Sequence, residues 1–321
     1  MYPSVLLITF NRPDNTLRVL ESILSAKPKE LFVFQDGPRE SNDTDIVKCG
    51  EVRKIIEDKK AFSDTDIYTN YSDTNLGCGR GPSSAISWFF ENVEEGIIFE
   101  DDCIPHPDFF SYCCELLEKY RLDERIAFIG GCNYGYTFET DESYCFASGH
   151  HQTWGWATWK RSWSLFDYDL EGLTNNSFQR IVSNYYQSLR QREYWCNIFD
   201  LVKKDKMGGT CWDYQFYFSM WSKSMLAIYP RTNLVINIGT DEDATHTQNG
   251  NDRLFLSETH KIMPLVHPDR VTHNYKIDDF MMRNIIIPQE YGSEGVKRIL
   301  HRINKRVKKI VGHQGPWIKR K

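Results

Sequence analysis

The chain has 321 residues, 40% apolar and 26% charged, which excludes a disordered or fibrous polypeptide and leaves ample length for a buried core. No stretch reaches the ~18–20 consecutive apolar residues of a membrane span, and Met1-Tyr2-Pro3-Ser4 lacks the basic region and cleavage site of a secretory signal. The net charge of −5 hides an asymmetry, because residues 297–321 hold ten Lys/Arg and no Asp/Glu, leaving 29 basic against 44 acidic side chains before them.

The predicted elements begin with an apolar strand over 4–10. Pro13 then opens a helix in which Leu17, Leu20, Ile23 and Leu24 share a face. A second strand over 31–35 ends at Asp36-Gly37-Pro38, and a helix over 45–60 leads to a third strand over 66–71. Gly81-Pro82 opens a helix through Phe90, 96–99 is a fourth strand, Pro107–Tyr120 is helical, and 126–130 is a fifth strand. Apolar strands alternating with helices predict an α/β fold, with a mostly parallel sheet covered on both faces. Ligands of such sheets bind at the carboxyl ends of the strands, here the loops 9–13, 36–40, 73–81 and 100–106.

After about residue 140 the alternation fades. A Trp-rich loop over 151–163 precedes a helix from about Ser177 to Lys204, a segment over 212–221, and a polar stretch over 239–252. The expected organisation is one domain over 1–290, with a ligand-binding strand–helix half over about 1–135 and a lid-like half over about 136–290. A basic amphipathic helix follows over 291–321. Nine scattered cysteines with no CxxC pair argue against a zinc ribbon or a disulfide framework and for reduced thiols.

Three clusters could carry chemistry. Glu100-Asp101-Asp102 stands at the end of a buried strand, where adjacent carboxylates raise one another's pKa unless a cation joins them. Mg²⁺ or Mn²⁺ suits such a place, combining one or two carboxylates with substrate phosphates. A solvated acidic turn, or a capping run for the helix at Pro107, is the plain alternative. Asp36 can accept from a base or a ribose, or simply make a turn. The run Asn75-Leu76-Gly77-Cys78-Gly79-Arg80-Gly81-Pro82 combines glycines with a helix start and an arginine able to clamp a phosphate. It is neither a Walker loop nor the dinucleotide fingerprint.

Thr9-Phe10-Asn11-Arg12-Pro13, Asp36-Gly37-Pro38, the 75–81 run and Glu100-Asp101-Asp102 together resemble the GT-A glycosyltransferases over residues 4–135. The Glu-Asp-Asp segment with Pro107-Asp108-Phe109-Phe110 is similar to the N-acetylglucosaminyltransferase I group, and the opening is similar to bacterial family-2 transferases. Trp154-Gly155-Trp156-Ala157-Thr158-Trp159-Lys160-Arg161 and Asp243-Ala244-Thr245-His246-Thr247 look like features of bacterial surface-polysaccharide transferases. The resemblance implies a Rossmann-like GT-A fold and a metal-dependent transfer of a hexose or N-acetylhexosamine from a UDP-sugar, read as inverting, with a retaining transfer as the alternative because the donor-site motif does not decide stereochemistry. UDP-N-acetylglucosamine is the donor that the Glu-Asp-Asp segment suggests. Thr9, Asn11 and Arg12 would line the nucleotide pocket, with Asp36 on the base and Arg80 at a phosphate. Glu100 and Asp101 would lie near the ribose and diphosphate, and Asp102 would bind Mn²⁺ or Mg²⁺. Glutamate stands where many relatives carry the first Asp of Asp-x-Asp.

The resemblance also implies a general base near a helix start in the second half, where Asp213 in Trp212-Asp213-Tyr214-Gln215 matches best. An N-cap is the alternative role for it, and Asp241, Glu242 and Asp243 are rival bases. His246 is read as a metal ligand or a donor to the diphosphate. His150-His151 are assigned a structural or acceptor-side role. Of Trp154, Trp156 and Trp159, at least two are expected to be structural rather than stacked on a sugar.

In the tail, Val296, Ile299, Leu300, Ile303, Val307, Ile310 and Val311 form an apolar stripe among the basic residues, a pattern that suits an anionic membrane surface. Docking on the chain's own acidic body is the alternative, and nucleic acid is not an expected partner. The expected acceptor is a surface-polysaccharide or lipid-linked glycan, reached from the cytoplasmic face of the membrane. The alternatives weighed are an inactive sugar-binding scaffold and a sugar-nucleotide pyrophosphorylase. The latter calls for a Gly-rich loop after strand one, where this chain has Asn11-Arg12-Pro13-Asp14.

Overall fold

A computed structural model describes residues 2–204, 211–239 and 258–287, so the helix expected over 291–321 lies outside the described residues. The chain divides into two compact units, Met1–Tyr275 and Lys276–Lys321. Among the described residues no helix is long and apolar enough to cross a membrane.

In the first unit, β1 (Val5–Thr9), α1 (Pro13–Ser25), β2 (Glu30–Gln35), α2 (Asp43–Phe62), β3 (Asp66–Tyr71), α3 (Gly77–Asn92) and β4 (Glu95–Glu100) follow the expected alternation. Then come β5 (Cys103–Pro105), α4 (Asp108–Lys119), β6 (Ile126–Gly130), β7 (Tyr144–Ala147), β8 (Trp156–Trp159), α5 (Lys160–Trp163), α6 (Asn175–Tyr185), α7 (Leu189–Lys203), α8 (Asp213–Ser222), β9 (Leu226–Pro230) and β10 (Val235–Asn237). The second unit's described residues continue a short helix, α9 (Tyr275–Met281), into a π-helical turn over Met282–Ile286.

Eight strands form one sheet in the order β3-β2-β1-β4-β8-β6-β9-β7, and β10 pairs with β5 in a separate ribbon. The pairings set six strands in one direction and β8 and β7 in the other, so the sheet is mostly parallel. Val5, Leu6 and Leu7 are fully buried although alternate side chains point to opposite faces, so helices cover both sides of the central strand.

Three features depart from the sequence reading. The Trp-rich stretch expected as a loop contains β8, which pairs Ile97↔Ala157 and Ile129↔Ala157 in mid-sheet. Trp156 and Trp159 are buried there, so Trp-Ala-Thr-Trp hides its strand by lacking an apolar/polar alternation. The helix expected from Ser177 to Lys204 is two helices. Tyr186 takes an extended backbone between them and hydrogen-bonds the buried His150 Nδ1 through its hydroxyl at 2.7 Å. Helix α3 starts at Gly77 rather than Gly81, because Asp36 accepts the amides of Leu76 and Gly77 at 2.8 and 2.9 Å and fixes the first turn earlier. Pro82 inside that helix forgoes one bond.

Candidate functional site

The chain leaves β1 towards β2 but leaves β4 towards the other side of the sheet, so β1 and β4 flank a topological switch point. Their carboxyl ends are level, with Ile8 paired to Glu100, and the loops beyond them meet. The Phe10 amide donates to Asp101 Oδ2 at 3.3 Å, and Arg12 Nη1 donates to Asp101 Oδ1 at 3.4 Å and to Asp102 Oδ2 at 3.0 Å. Pro13 fixes the start of α1 just after Arg12, which holds the arginine's backbone at the crevice.

Charge is concentrated here. Burial pushes Glu100 up to about 8, with the carboxylates of Asp102, Asp101 and Asp213 adding to the shift and Arg12 opposing it. Burial likewise raises Asp101 to about 7, with Asp102 adding and Arg12 opposing. Burial opposes the charge of Arg12, yet Asp101, Asp102 and Glu100 together raise its pKa. One guanidinium thus serves several crowded carboxyls.

The 75–81 loop closes another side. Asp36 accepts from the amides of Gly37, Leu76 and Gly77 and from Asn75 Nδ2, so its carboxylate clamps this loop to the end of β2. Gly37 is required at this contact, since a Cβ would lie 2.6 Å from the Thr74 backbone. Cys78, in the uncapped first turn of α3, has its thiol pKa raised by burial and then by Glu100, Asp36 and Asp213. The amides at the start of α3 are thus taken by Asp36.

Asp213 comes from the far half of the sequence, as the first residue of α8. Its negative charge adds to the raised pKa values of Glu100 and Cys78 and opposes the lowering at His151. His151 lies in the same vicinity in a left-handed conformation, φ 58°, and its carbonyl accepts from the Tyr134 hydroxyl. Burial lowers its pKa and Asp213 opposes that shift.

Three of the expected donor-site side chains bond to the protein, and a fourth, the exposed Arg80, stacks on a ring. Thr9 Oγ1 donates to the Phe34 carbonyl at 3.0 Å inside the sheet. Asn11 Nδ2 donates to Asp45 Oδ1 at 2.8 Å, where hydrogen bonds from Arg39 first and Asn11 second hold Asp45 at about 2. Asp36 is the loop clamp just described. The Arg80 guanidinium lies over the Tyr168 ring, 4.4 Å from its centroid. Arg12, Glu100, Asp101, Asp102 and Asp213 remain as the group brought together. Of the tryptophans, Trp156 and Trp159 are buried structural residues, and Trp154 is half-buried beside Tyr134. His246, Asp241, Glu242 and Asp243 lie outside the described residues.

Sequence reasoning missed Asn237 and Gly239. The short ribbon of β5 and β10 brings Asn237 opposite Cys103, and Asn237 Nδ2 donates to Asp102 Oδ1 at 3.2 Å. The Ile238 amide donates to the Asp102 carbonyl at 2.7 Å. A Cβ on Gly239 would lie 2.3 Å from Asp102 Oδ2, so only glycine leaves that oxygen accessible. No signal for these contacts exists locally in the sequence beyond the polar character of the stretch.

The donor set fits a hard divalent cation in one particular way. Among the described residues no group of three His, Cys, Asp or Glu could hold a metal by itself. Asp102 Oδ2, which a Cβ on Gly239 would crowd and to which Arg12 now donates, is the oxygen that could serve as one ligand, and the others would have to come from outside the described residues.

Fold and site define an α/β protein with a carboxylate-rich crevice at the switch point of a mostly parallel sheet. No protein-family model matches the chain, and no curated protein matches it in sequence. Among solved structures it is similar to HddC from Yersinia pseudotuberculosis, at 13% identity over 50% of this chain and 78% of that one, with a TM-score of 0.30. It is similar to 4-diphosphocytidyl-2C-methyl-D-erythritol synthase from Anaerococcus prevotii at 11% identity, covering 51% and 74% of the two chains, with a TM-score of 0.31. A UDP-glucose pyrophosphorylase complexed with UDP-glucose is similar at 9% identity, covering 52% and 79%, with a TM-score of 0.30. At these TM-scores the likenesses carry no weight for the site, whose assignment rests on its own geometry.

Proposed function

We propose that the protein is a metal-dependent, inverting glycosyltransferase that moves a hexose or N-acetylhexosamine from a UDP-sugar to a glycan acceptor. The observation that supports this reading is the ion pairing of Arg12 with Asp101 and Asp102 at the switch point, with Asp213 contributing to the field at Glu100. The resemblance to GT-A enzymes supplies the reaction class and UDP-N-acetylglucosamine as the first donor to try. It also points to a surface-polysaccharide or lipid-linked acceptor, to which the basic stretch 296–321 would bring the enzyme at an anionic membrane.

In the reaction, the acceptor hydroxyl attacks the anomeric carbon on the face opposite the diphosphate. A new C–O bond forms as the bond from the anomeric carbon to the diphosphate oxygen breaks. Asp213 takes the hydroxyl proton, and the electron pair leaves on the nucleoside diphosphate. Asp102 is the residue that would hold a Mn²⁺ or Mg²⁺, which would supply Lewis-acid stabilisation of that leaving group. Arg12 adds positive charge beside Asp102.

Helix α1 begins at Pro13, so only three residues separate it from β1 and no glycine-rich loop follows the first strand. That observation favours sugar transfer over nucleotidyl transfer. Calorimetric titration of UDP with and without Mn²⁺, followed by incubation with UDP-sugars and a glycan acceptor, tests the reading. Mn²⁺-dependent UDP binding and release of free UDP are expected. A protein that consumes pyrophosphate with a UDP-sugar to make UTP, or binds no UDP under either condition, overturns it.

A further inference from the structure

We propose that Arg12 is the resident counter-ion of Asp102, and that a divalent cation reaches Asp102 only when a nucleoside diphosphate draws Arg12 away. The proposal deepens the reading above, since it takes Asp102 as the cation ligand.

Both oxygens of the Asp102 carboxylate are engaged, but by different kinds of partner. Oδ1 accepts from two neutral donors, Asn237 Nδ2 at 3.2 Å and Cys103 Sγ at 3.3 Å. Those donors are buried, and their geometry is set by the β5–β10 ribbon. Oδ2 accepts from Arg12 Nη1 at 3.0 Å, and this is also the oxygen that Gly239 keeps clear. A Mg²⁺–oxygen bond is about 2.1 Å long and demands near-ideal geometry. A cation on Oδ2 would thus sit within a few ångströms of a guanidinium charge, in a poorly solvated crevice where like charges repel strongly. Cation and Arg12 are alternatives at that oxygen.

The arginine is built to move. Its backbone is fixed as the N-cap of α1, but the side chain is long, keeps 20% of its surface exposed, and reaches Asp101 only at 3.4 Å. A diphosphate in the crevice offers the guanidinium a planar, bidentate partner of higher charge than one shared carboxylate. Its oxygens also complete the coordination that Asp102 cannot supply alone. Nucleotide and cation therefore bind as a unit, and free cation is excluded from the empty crevice.

The test is Mn²⁺ binding to the full chain, read by loss of the free-ion paramagnetic resonance signal with and without UDP. The wild type is expected to bind Mn²⁺ about tenfold or more tightly with UDP than without it, while Arg12→Met binds Mn²⁺ alone about tenfold tighter than wild type and gains from UDP by a correspondingly smaller factor. Arg12→Gln should behave like Arg12→Met, which covers the case in which the methionine variant folds poorly. Arg12→Lys keeps the charge and should resemble wild type. If Arg12→Met and Arg12→Gln bind Mn²⁺ alone as weakly as wild type while UDP still promotes binding in all, the counter-ion role is overturned and the metal site stands. If none of the four proteins binds Mn²⁺ even with UDP, the metal-dependent reading falls and takes this inference with it.

Discussion

Asn237 donates its side-chain amide to Asp102 Oδ1 at 3.2 Å, joining two residues 135 apart in sequence. The Ile238 amide donates to the Asp102 carbonyl beside it, so the turn after β4 is fixed by a ribbon from the other half of the chain. Hydrogen bonds to a charged group contribute about 1.5–3 kcal/mol. Asn237→Leu should weaken Mn²⁺-dependent UDP binding about tenfold or more, as measured by calorimetry. Unchanged affinity would mean that Asp102 holds its orientation without this bond.

Asp102 and Asp213 separate binding from chemistry. Asp102→Asn is expected to abolish the Mn²⁺-dependent part of UDP binding. Asp213→Asn should leave UDP affinity within about twofold and reduce turnover by roughly 10²–10⁴. Parallel calorimetry and UDP-release assays measure both effects. An Asp213→Asn protein of near-normal turnover would remove Asp213 as the base.

The carboxyl cluster makes the cation-free protein pH-sensitive. Glu100 rises from an ordinary 4.5 to about 8 and Asp101 from 3.8 to about 7, both mainly through burial. The folded chain thus keeps protons that the unfolded chain has released. The stability associated with these two groups is fully present below their ordinary values and is lost as pH rises through the folded ones. The melting temperature without metal should fall between about pH 5 and about pH 8, and Glu100→Gln should fall less. Equal declines in the two proteins would show that Glu100 does not carry the effect.

Gly155 precedes β8 at the same edge of the sheet with φ 61°, where a Cβ would lie 2.6 Å from Val235 and 3.0 Å from Phe99. Overpacking and left-handed strain combine at this position. Gly155→Ala should lose about 2–4 kcal/mol of stability in urea unfolding. Gly172, with nothing within 4 Å of its Cβ position, provides the comparison, and Gly172→Ala should stay within about 0.5 kcal/mol of wild type.

Local pattern made the first half of the fold legible. Strands β1, β2, β4 and β6 lie within a residue of their expected bounds, because buried parallel strands read as unbroken apolar runs between helix and turn signals, and the more polar edge strand β3 matches its expected bounds as well. The strand-end position of Glu100-Asp101-Asp102 followed from the same periodicity. Strand β8 was not legible, because its tryptophans are buried by helices distant in sequence. Nor was the break at Tyr186, which exists to place a hydroxyl on His150.

The sequence by itself determined the α/β alternation, the loops that form the crevice and the carboxylates that stand in it. These follow from hydrophobic period and turn chemistry, which act over a few residues. Only the tertiary structure decided the rest. It commits Thr9, Asn11, Asp36 and Arg80 to protein partners, brings Arg12 to Asp101 and Asp102, and places Asn237 and Gly239 against the same carboxylate. Hydrogen bonds and charge interactions across the sheet depend on distances that chain order does not encode. A site assembled at a switch point is therefore visible residue by residue in the sequence, but its partners appear only when the strands lie side by side.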